Sequence, residues 1–257
     1  EAKEMVLDCV INPMKFPELA EELKVDSGGG LLLYGPPGNG KTMFAKALAN
    51  EIDAVFLNVS AADLKNKYVG QSEKNVAGMF AETRKHSRCV LFIDEAYSLA
   101  SGSDQDFGSE AVATLVKMME DHRDKLSVIV AGYKQEMEYF ISSNTGLRSR
   151  FQRYISFRDY EAVELVDIFE LESKHHEIEL RPEIRDGLLQ LFSSLPNDER
   201  NGNGRMARNF FETMFARMAA RVGEDGVITK EELAEGFALE DIPEIDVPQK
   251  RPIGFHL

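Results

Sequence analysis

The sequence predicts an α/β fold: a parallel five-stranded sheet flanked by helices, followed by a small C-terminal all-helical domain. Two observations carry that expectation. Up to about Asp159, short apolar or β-branched runs alternate with stretches of helical period, the pattern of a sheet covered on both faces. After Tyr160 the strand signal stops and only helical windows follow.

The strand runs are Leu31–Tyr34, Val55–Val59, Cys89–Ile93, Ser127–Ala131 and Tyr154–Phe157. Most are continuously apolar rather than alternating, as strands buried on both faces read. Between them, Gly40–Ile52 places Ala45, Leu48 and Ala49 on one helical face. Ser72–Lys85 does the same with Val76, Met79, Phe80 and Thr83, and Ser109–Asp121 with Val112, Leu115, Val116 and Met119. The helical windows beyond are 161–173, 182–194, 204–221 and 230–238. Pro182 stands just inside the second, where its missing N–H costs nothing. Thr229 and Glu232 form a capping box before the last. The expected division is a large α/β domain over 1–159, a helical domain over 160–242 and an extended tail or linker over 243–257.

The 257 residues suffice for one large or two modest domains. With 30 Lys and Arg against 44 Asp and Glu, the net charge is −14. That disfavours nucleic acid or an anionic membrane as a bulk partner, since phosphate affinity comes from clustered Lys and Arg. Nine acids and one base fall within 223–246, a net charge of −8, so more than half of the net negative charge belongs to the end of the helical domain and its tail. No apolar run reaches the ~18 residues of a membrane span. Cys9 and Cys89 cannot build a disulfide framework, and Cys89 reads as a core thiol of a reducing, cytoplasmic setting. The first residue is not Met and the start is no signal peptide, so the expectation is a chain that begins inside a longer protein.

Gly35-Pro36-Pro37-Gly38-Asn39-Gly40-Lys41-Thr42 matches G-x-x-x-x-G-K-[ST], after a predicted strand and before a predicted helix. In that context the backbone N–H groups turn inward around phosphate oxygens, aided by the partial positive charge of the helix start. Lys41 would reach the β and γ phosphates, and Thr42 would offer its hydroxyl to Mg²⁺. Met43, next in the chain, belongs to the same nucleotide-binding set. The run Cys89–Ile93 ends in Asp94 and Glu95. Asp94 would hold the Mg²⁺ hydration shell, and Glu95 would orient and polarise the attacking water. The cofactors expected are therefore ATP and Mg²⁺.

Arg148 and Arg150 lie two residues apart before the last strand, without an obvious local acid, and read as an extended segment projecting both to one side. Such a pair suits the γ-phosphate of a neighbouring subunit; the alternative is a surface salt-bridge pair. Arg205, in Gly202-Asn203-Gly204-Arg205, opens a helix of the small domain and could touch the phosphates from there.

Together these residues resemble the AAA+ ATPase family over roughly 3–242. The glycine-rich loop and Asp94-Glu95 are similar to its Walker A and Walker B motifs, Arg148 and Arg150 to its arginine fingers, and Gly204-Arg205 to its sensor-2 motif. The front, through "NKYVGQSEKNV", looks like the katanin-like AAA proteins. "VLFIDEAYSL", "FGSEAVATLVKMMEDHRDKLSVIVAGY", "SNTGLRSRF" and "GNGRMARNFFE" resemble the red-type rubisco activase (CbbX/CfxQ), SpoVK and EccA group. The resemblance implies a homo-hexameric or hetero-oligomeric ring that remodels or threads a client protein. It also implies a pore loop at Tyr68, Val69 and Gly70, with Tyr68 gripping the client. Two features depart from the family. Ala131-Gly132-Tyr133-Lys134 stands where a polar sensor-1 residue is usual, and the adenine-contacting segment would precede residue 1. The setting implied is the cytoplasm, or the plastid stroma in an alga.

Three weaker signals are set aside. Glu224–Glu232 is no calcium loop, because Arg221 and Gly223 would occupy its first and third positions. His175 and His176 are adjacent and cannot share a helix face as zinc ligands. No nucleophile-elbow sequence supports a serine hydrolase. The function expected is a Mg²⁺-ATP-dependent, ring-forming protein-remodelling motor. The alternatives are a nucleotide-switched assembly or secretion scaffold and, less favoured, a DNA-acting AAA+ ATPase.

Overall fold

The computed structural model describes residues 12, 16, 22, 29–61, 78–83, 85–86, 88–100, 105–122, 126–195, 202–222 and 236–243. The chain forms two compact units. One comprises Glu1–Pro36 and Gly40–Arg158, the other Pro37–Asn39 and Asp159–Leu257.

The first unit is built on a sheet of β1 (Gly29–Tyr34), β2 (Val55–Ser60), β3 (Cys89–Asp94), β4 (Leu126–Gly132) and β5 (Phe151–Ser156). Their order is β2-β3-β4-β1-β5, and every neighbouring pair is parallel. Helices α1 (Lys41–Glu51), α2 (Gln105–Asp121), α3 (Lys134–Ser142) and α4 (Thr145–Arg150) accompany it, with a 3₁₀ turn at Ala96–Leu99. A further helical segment covers 78–83.

Side chains alternate between two cores, as strand geometry requires. Leu32, Leu91, Ile93, Val128 and Val130 pack on one face with Phe80, Leu115 and Phe140. Leu31, Leu33, Val90, Phe92 and Ile129 pack on the other with Ala45, Leu48 and Ala49 of α1. Because both faces are covered, the central strands read as unbroken apolar runs. Cys89 is part of this interior, and burial pushes its thiol up to about 11.

The expectation of two-sided burial fails at the edges. β2 is half open along its length, and β5 leaves Tyr154 exposed. An edge strand has a ladder neighbour on one side only, and its outer side chains meet solvent. Among the sequence windows, Ser72–Lys85 can be followed only from 78 onward, where Phe80 and Thr83 are buried.

The second unit contains α5 (Ala162–His175), α6 (Pro182–Ser194) and α7 (Asn203–Val222), with a 3₁₀ turn at Leu239–Asp241. Pro182 occupies the first turn of α6. The core joins Leu165, Phe169, Leu188, Phe192, Met214 and Phe237. Phe169, Phe211 and Phe237 form a triangle of rings with centroids 5.5–5.8 Å apart, within the range in which edge-to-face pairs add to simple burial. The helix expected over 230–238 is not continued at its end. Residues 236–238 are non-helical, and Gly236 sits at φ +68°, which breaks a right-handed helix. The Thr229/Glu232 box and the tail beyond Pro243 lie outside the described residues. Among the described residues, no helix is long and apolar enough to cross a membrane.

Candidate functional site

The strand register sets the site. Val130 of β4 pairs with Leu32 on one side and Ile93 on the other. Asp94 therefore stands one residue beyond the level of Leu32, at the same C-terminal edge from which the glycine-rich loop leaves β1. Ligands of open parallel α/β sheets bind at this edge. The loop is anchored there by Gly35 N–H, which donates to Gly132 O at 3.2 Å.

The loop itself is shaped by positive φ angles. Gly38 lies at +73° and Gly40 at +89°, conformations that L side chains rarely adopt. Gly38 is further constrained, since a Cβ would come 2.1 Å from Gly202 O. Gly40 caps α1, so the first N–H groups of that helix face the loop. Asn39 is buried, Thr42 half-buried, and Met43 stands 71% exposed on the first turn.

Lys41 Nζ donates to Gly35 O at 2.9 Å and to Pro36 O at 2.6 Å. Burial holds the amine below its ordinary value, and the charge of Asp94 opposes that shift. The two side chains thus share one electrostatic environment. Asp94 Oδ1 accepts from Glu95 N–H at 3.1 Å. Glu95 has φ +50°, strained for a non-glycine residue, and its side chain is exposed. Tyr97 is raised above its ordinary value by burial first and then by Glu95.

Thr42 and Asp94 would contribute a hydroxyl and a carboxylate to a metal. Among the described residues no group of three or more His, Cys, Asp or Glu could hold one. That donor set fits Mg²⁺, which keeps waters and phosphate oxygens in its shell rather than an all-protein cage. His175 and His176, whose rings lie 5.6 Å apart, belong to no such group.

Two expectations need correction. Arg148 and Arg150 are not in an extended segment but on α4, whose start is capped by Asn144 Oδ1 accepting from Gly146 N–H at 2.7 Å. Arg150 also has an acid partner: its Nη2 lies 2.6 Å from Glu120 Oε2 on α2. The acid is thirty residues upstream, a distance at which local sequence gives no sign of contact. At the sensor-1 position, Ala131 and Gly132 are buried in β4, and exposed Tyr133 and Lys134 open α3. Tyr68, Val69 and Gly70 lie outside the described residues.

In the second unit, Arg205 is exposed on the first turn of α7. Its neighbour Asn203 was not singled out by sequence reasoning, yet it is fully buried. Asn203 Nδ2 donates to Pro37 O at 3.1 Å and to Asp159 Oδ1 at 2.8 Å, while its Oδ1 accepts from Tyr160 N–H at 2.8 Å. Its φ of +48° is a conformation Asn tolerates better than most residues. The Asn-Gly pair was the available signal, since it marks a left-handed turn.

A parallel sheet with this loop and carboxylate pair defines a P-loop nucleoside-triphosphatase. A family model described as "ATPase family associated with various cellular activities (AAA)" matches residues 31–159, and an AAA lid domain model matches 161–251. The chain belongs to the AAA ATPase family and is an ATP hydrolase of that family. It is 34% identical over 242 residues to Protein CfxQ of Xanthobacter flavus, covering 90% of this chain and 74% of that protein. Stage V sporulation protein K of Bacillus subtilis is 35% identical over 203 residues, which is 75% of this chain. The ESX-3 secretion system protein EccA3 of Mycobacterium leprae is 35% identical over 71% of this chain. The chain spans 62% of the sporulation protein and 31% of EccA3. The crystal structure of the FIGL-1 AAA domain in complex with ADP superposes with a TM-score of 0.72 at 26% identity, covering 94% of this chain and 78% of that one.

Proposed function

We propose that this AAA ATPase is a Mg²⁺-ATP-driven, ring-forming motor that remodels a client protein. The observation that carries the reading is the strand register, which sets Asp94 and Glu95 at the same C-terminal edge of the sheet as the glycine-rich loop whose carbonyls hold Lys41 Nζ. In this reading the 1–159 domain binds nucleotide, 160–242 forms the lid and 243–257 is a linker. Gly35 to Gly40 present their backbone to the phosphates, with Met43 at the edge of the nucleotide. Lys41 leaves the carbonyls of Gly35 and Pro36 for the β and γ oxygens. Thr42 and Asp94 would hold Mg²⁺, which would supply charge neutralisation on the transferred phosphoryl group. Glu95 orients the attacking water and accepts its proton.

Arg148 and Arg150 complete the site of the next subunit in a homo-hexameric or hetero-oligomeric ring, and Arg205 senses the phosphates. Tyr68, Val69 and Gly70 grip the client. The setting is the cytoplasm, or the plastid stroma in an alga. The acidic balance supports this reading over a DNA-acting one.

The experiment is the ATPase rate per subunit against protein concentration, with Tyr68→Ala beside the wild type. A shared site gives a rate that collapses on dilution, and a rate constant at all concentrations defeats it. A motor carrying Tyr68→Ala keeps its ATPase and loses client remodelling. A nucleotide-switched scaffold keeps both.

A further inference from the structure

A loop that binds phosphate through its N–H groups must place its carbonyls elsewhere, because buried backbone acceptors are paired. Here every carbonyl from Gly35 to Asn39 has a donor. Lys41 Nζ serves Gly35 O and Pro36 O. Within the second unit, Asn203 Nδ2 donates to Pro37 O at 3.1 Å, Gly204 N–H to Gly38 O at 3.0 Å, and Tyr160 Oη to Asn39 O at 3.2 Å.

These donors fall into two groups. The lysine is the group that the phosphates themselves attract, so its two carbonyls are released when nucleotide enters. The other three donors carry no charge, and phosphate has no comparable pull on them. The orientation of the Asn203 amide is fixed by its partners, since Tyr160 N–H can only donate and Pro37 O can only accept. Gly204 N–H is one of the four that a helix start leaves without an intrahelical partner, so Gly38 O also satisfies α7.

We infer that Asn203 and Tyr160 are positioning residues for nucleotide binding. They hold the carbonyls of Pro37 and Asn39 turned away, so that the N–H groups of the loop crest stay preorganised for the phosphates. This rests on the reading of Gly35–Thr42 as the phosphate site. Preorganised donors cost less to order when ligand binds, so the effect falls on affinity.

The test is titration of the full chain with a fluorescent ADP analogue, alongside the melting temperature without nucleotide and KM and kcat for ATP. Asn203→Asp keeps the acceptor for Tyr160 N–H but removes the donor, and sets a second carboxylate beside Asp159. Asn203→Gly deletes the side chain while tolerating the positive φ. Tyr160→Phe removes a single hydroxyl. The Asn203 variants should bind the analogue about tenfold more weakly and Tyr160→Phe about threefold, the size of one lost buried hydrogen bond. KM should rise by similar factors, with kcat changed less than about twofold and the nucleotide-free melting temperature of Tyr160→Phe lowered by no more than a few degrees.

Lys41→Ala separates the two ideas. If Lys41→Ala loses the analogue while Asn203→Asp and Tyr160→Phe bind as wild type, the positioning role is overturned and the phosphate site stands. If Lys41→Ala also binds as wild type, the phosphate site itself fails. Should the Asn203 variants not melt cooperatively, Tyr160→Phe decides: wild-type affinity overturns the inference.

Discussion

Arg150 Nη2 meets Glu120 Oε2 at 2.6 Å, and Arg150 Nη1 donates to Ser149 Oγ at 2.8 Å. Its Nε is buried with no hydrogen-bond partner among the described residues. The guanidinium is thus held at one end and unsatisfied along its edge. A half-exposed ion pair contributes about 0–1 kcal/mol, so Glu120→Ala should leave the melting temperature close to wild type. Arg150→Ala, in contrast, should lower kcat at saturating ATP by about a thousandfold if the guanidinium stabilises transition-state charge. Both readings come from one stability and one steady-state measurement. Wild-type turnover by Arg150→Ala removes it from that role.

Glu95→Gln keeps the side-chain shape and removes the charge. ATP binding should persist while turnover falls by about a hundredfold or more, the size of a lost general base. Equilibrium binding of labelled ATP and single-turnover hydrolysis separate the two effects. Turnover within a few-fold of wild type assigns the water to another group.

Lys41 makes a pH prediction. Burial lowers its pKa below 10.5 in the folded chain, against the smaller opposing pull of Asp94. The unfolded chain then binds the proton more readily, so stability rises with pH through the lowered folded value and levels off near 10.5. Urea unfolding of nucleotide-free wild type and Lys41→Met between pH 7 and 10.5 should show the difference moving in favour of wild type. A difference that stays flat contradicts the desolvated amine.

The second unit has its own stabilising pair. Arg221 Nε and Nη2 donate to Asp241 Oδ1 and Oδ2 at 3.2 and 2.9 Å, and Asp241 Oδ2 also accepts from Ala238 N–H at 2.7 Å. Asp241 is only 2% exposed. Asp241→Ala should cost about 2 kcal/mol, because it leaves the Ala238 N–H without its acceptor and removes the two-point partner of Arg221, which keeps Gly236 O at 3.1 Å and Glu240 Oε1 at 3.6 Å. Thermal melting of wild type and variant measures it, and a loss under about 1 kcal/mol means the pair is solvent-relaxed.

How far the sequence anticipates the molecule depends on where each signal comes from. The central strands were legible because burial on both faces writes an unbroken apolar run. The glycine-rich loop was legible because its φ angles demand glycine and its chemistry demands Lys41 and Thr42. The 3₁₀ turn at Ala96–Leu99 and the short helices α3 and α4 were not, since each is too brief to establish a period. The arginines were misplaced for that reason: six residues of helix resemble a loop, and Glu120 is distant in sequence. Asn203 escaped notice because its role depends on Pro37, 166 residues away. A short-range pattern reports local conformation, and a hub between distant segments leaves only the trace of its own turn.

The strand order has a consequence for the newborn chain. β1 is formed first but lies between β4 and β5, and Gly29 pairs with Ser127 about a hundred residues later. At ribosomal elongation rates of about 5–20 residues per second, Leu31, Leu32 and Leu33 emerge several seconds before either ladder partner exists. Long-range parallel pairing is intrinsically slow, so this strand is the segment that most needs shielding from aggregation during synthesis. The glycine-rich loop inherits the same delay, because its anchor on Gly132 appears only once β4 is complete.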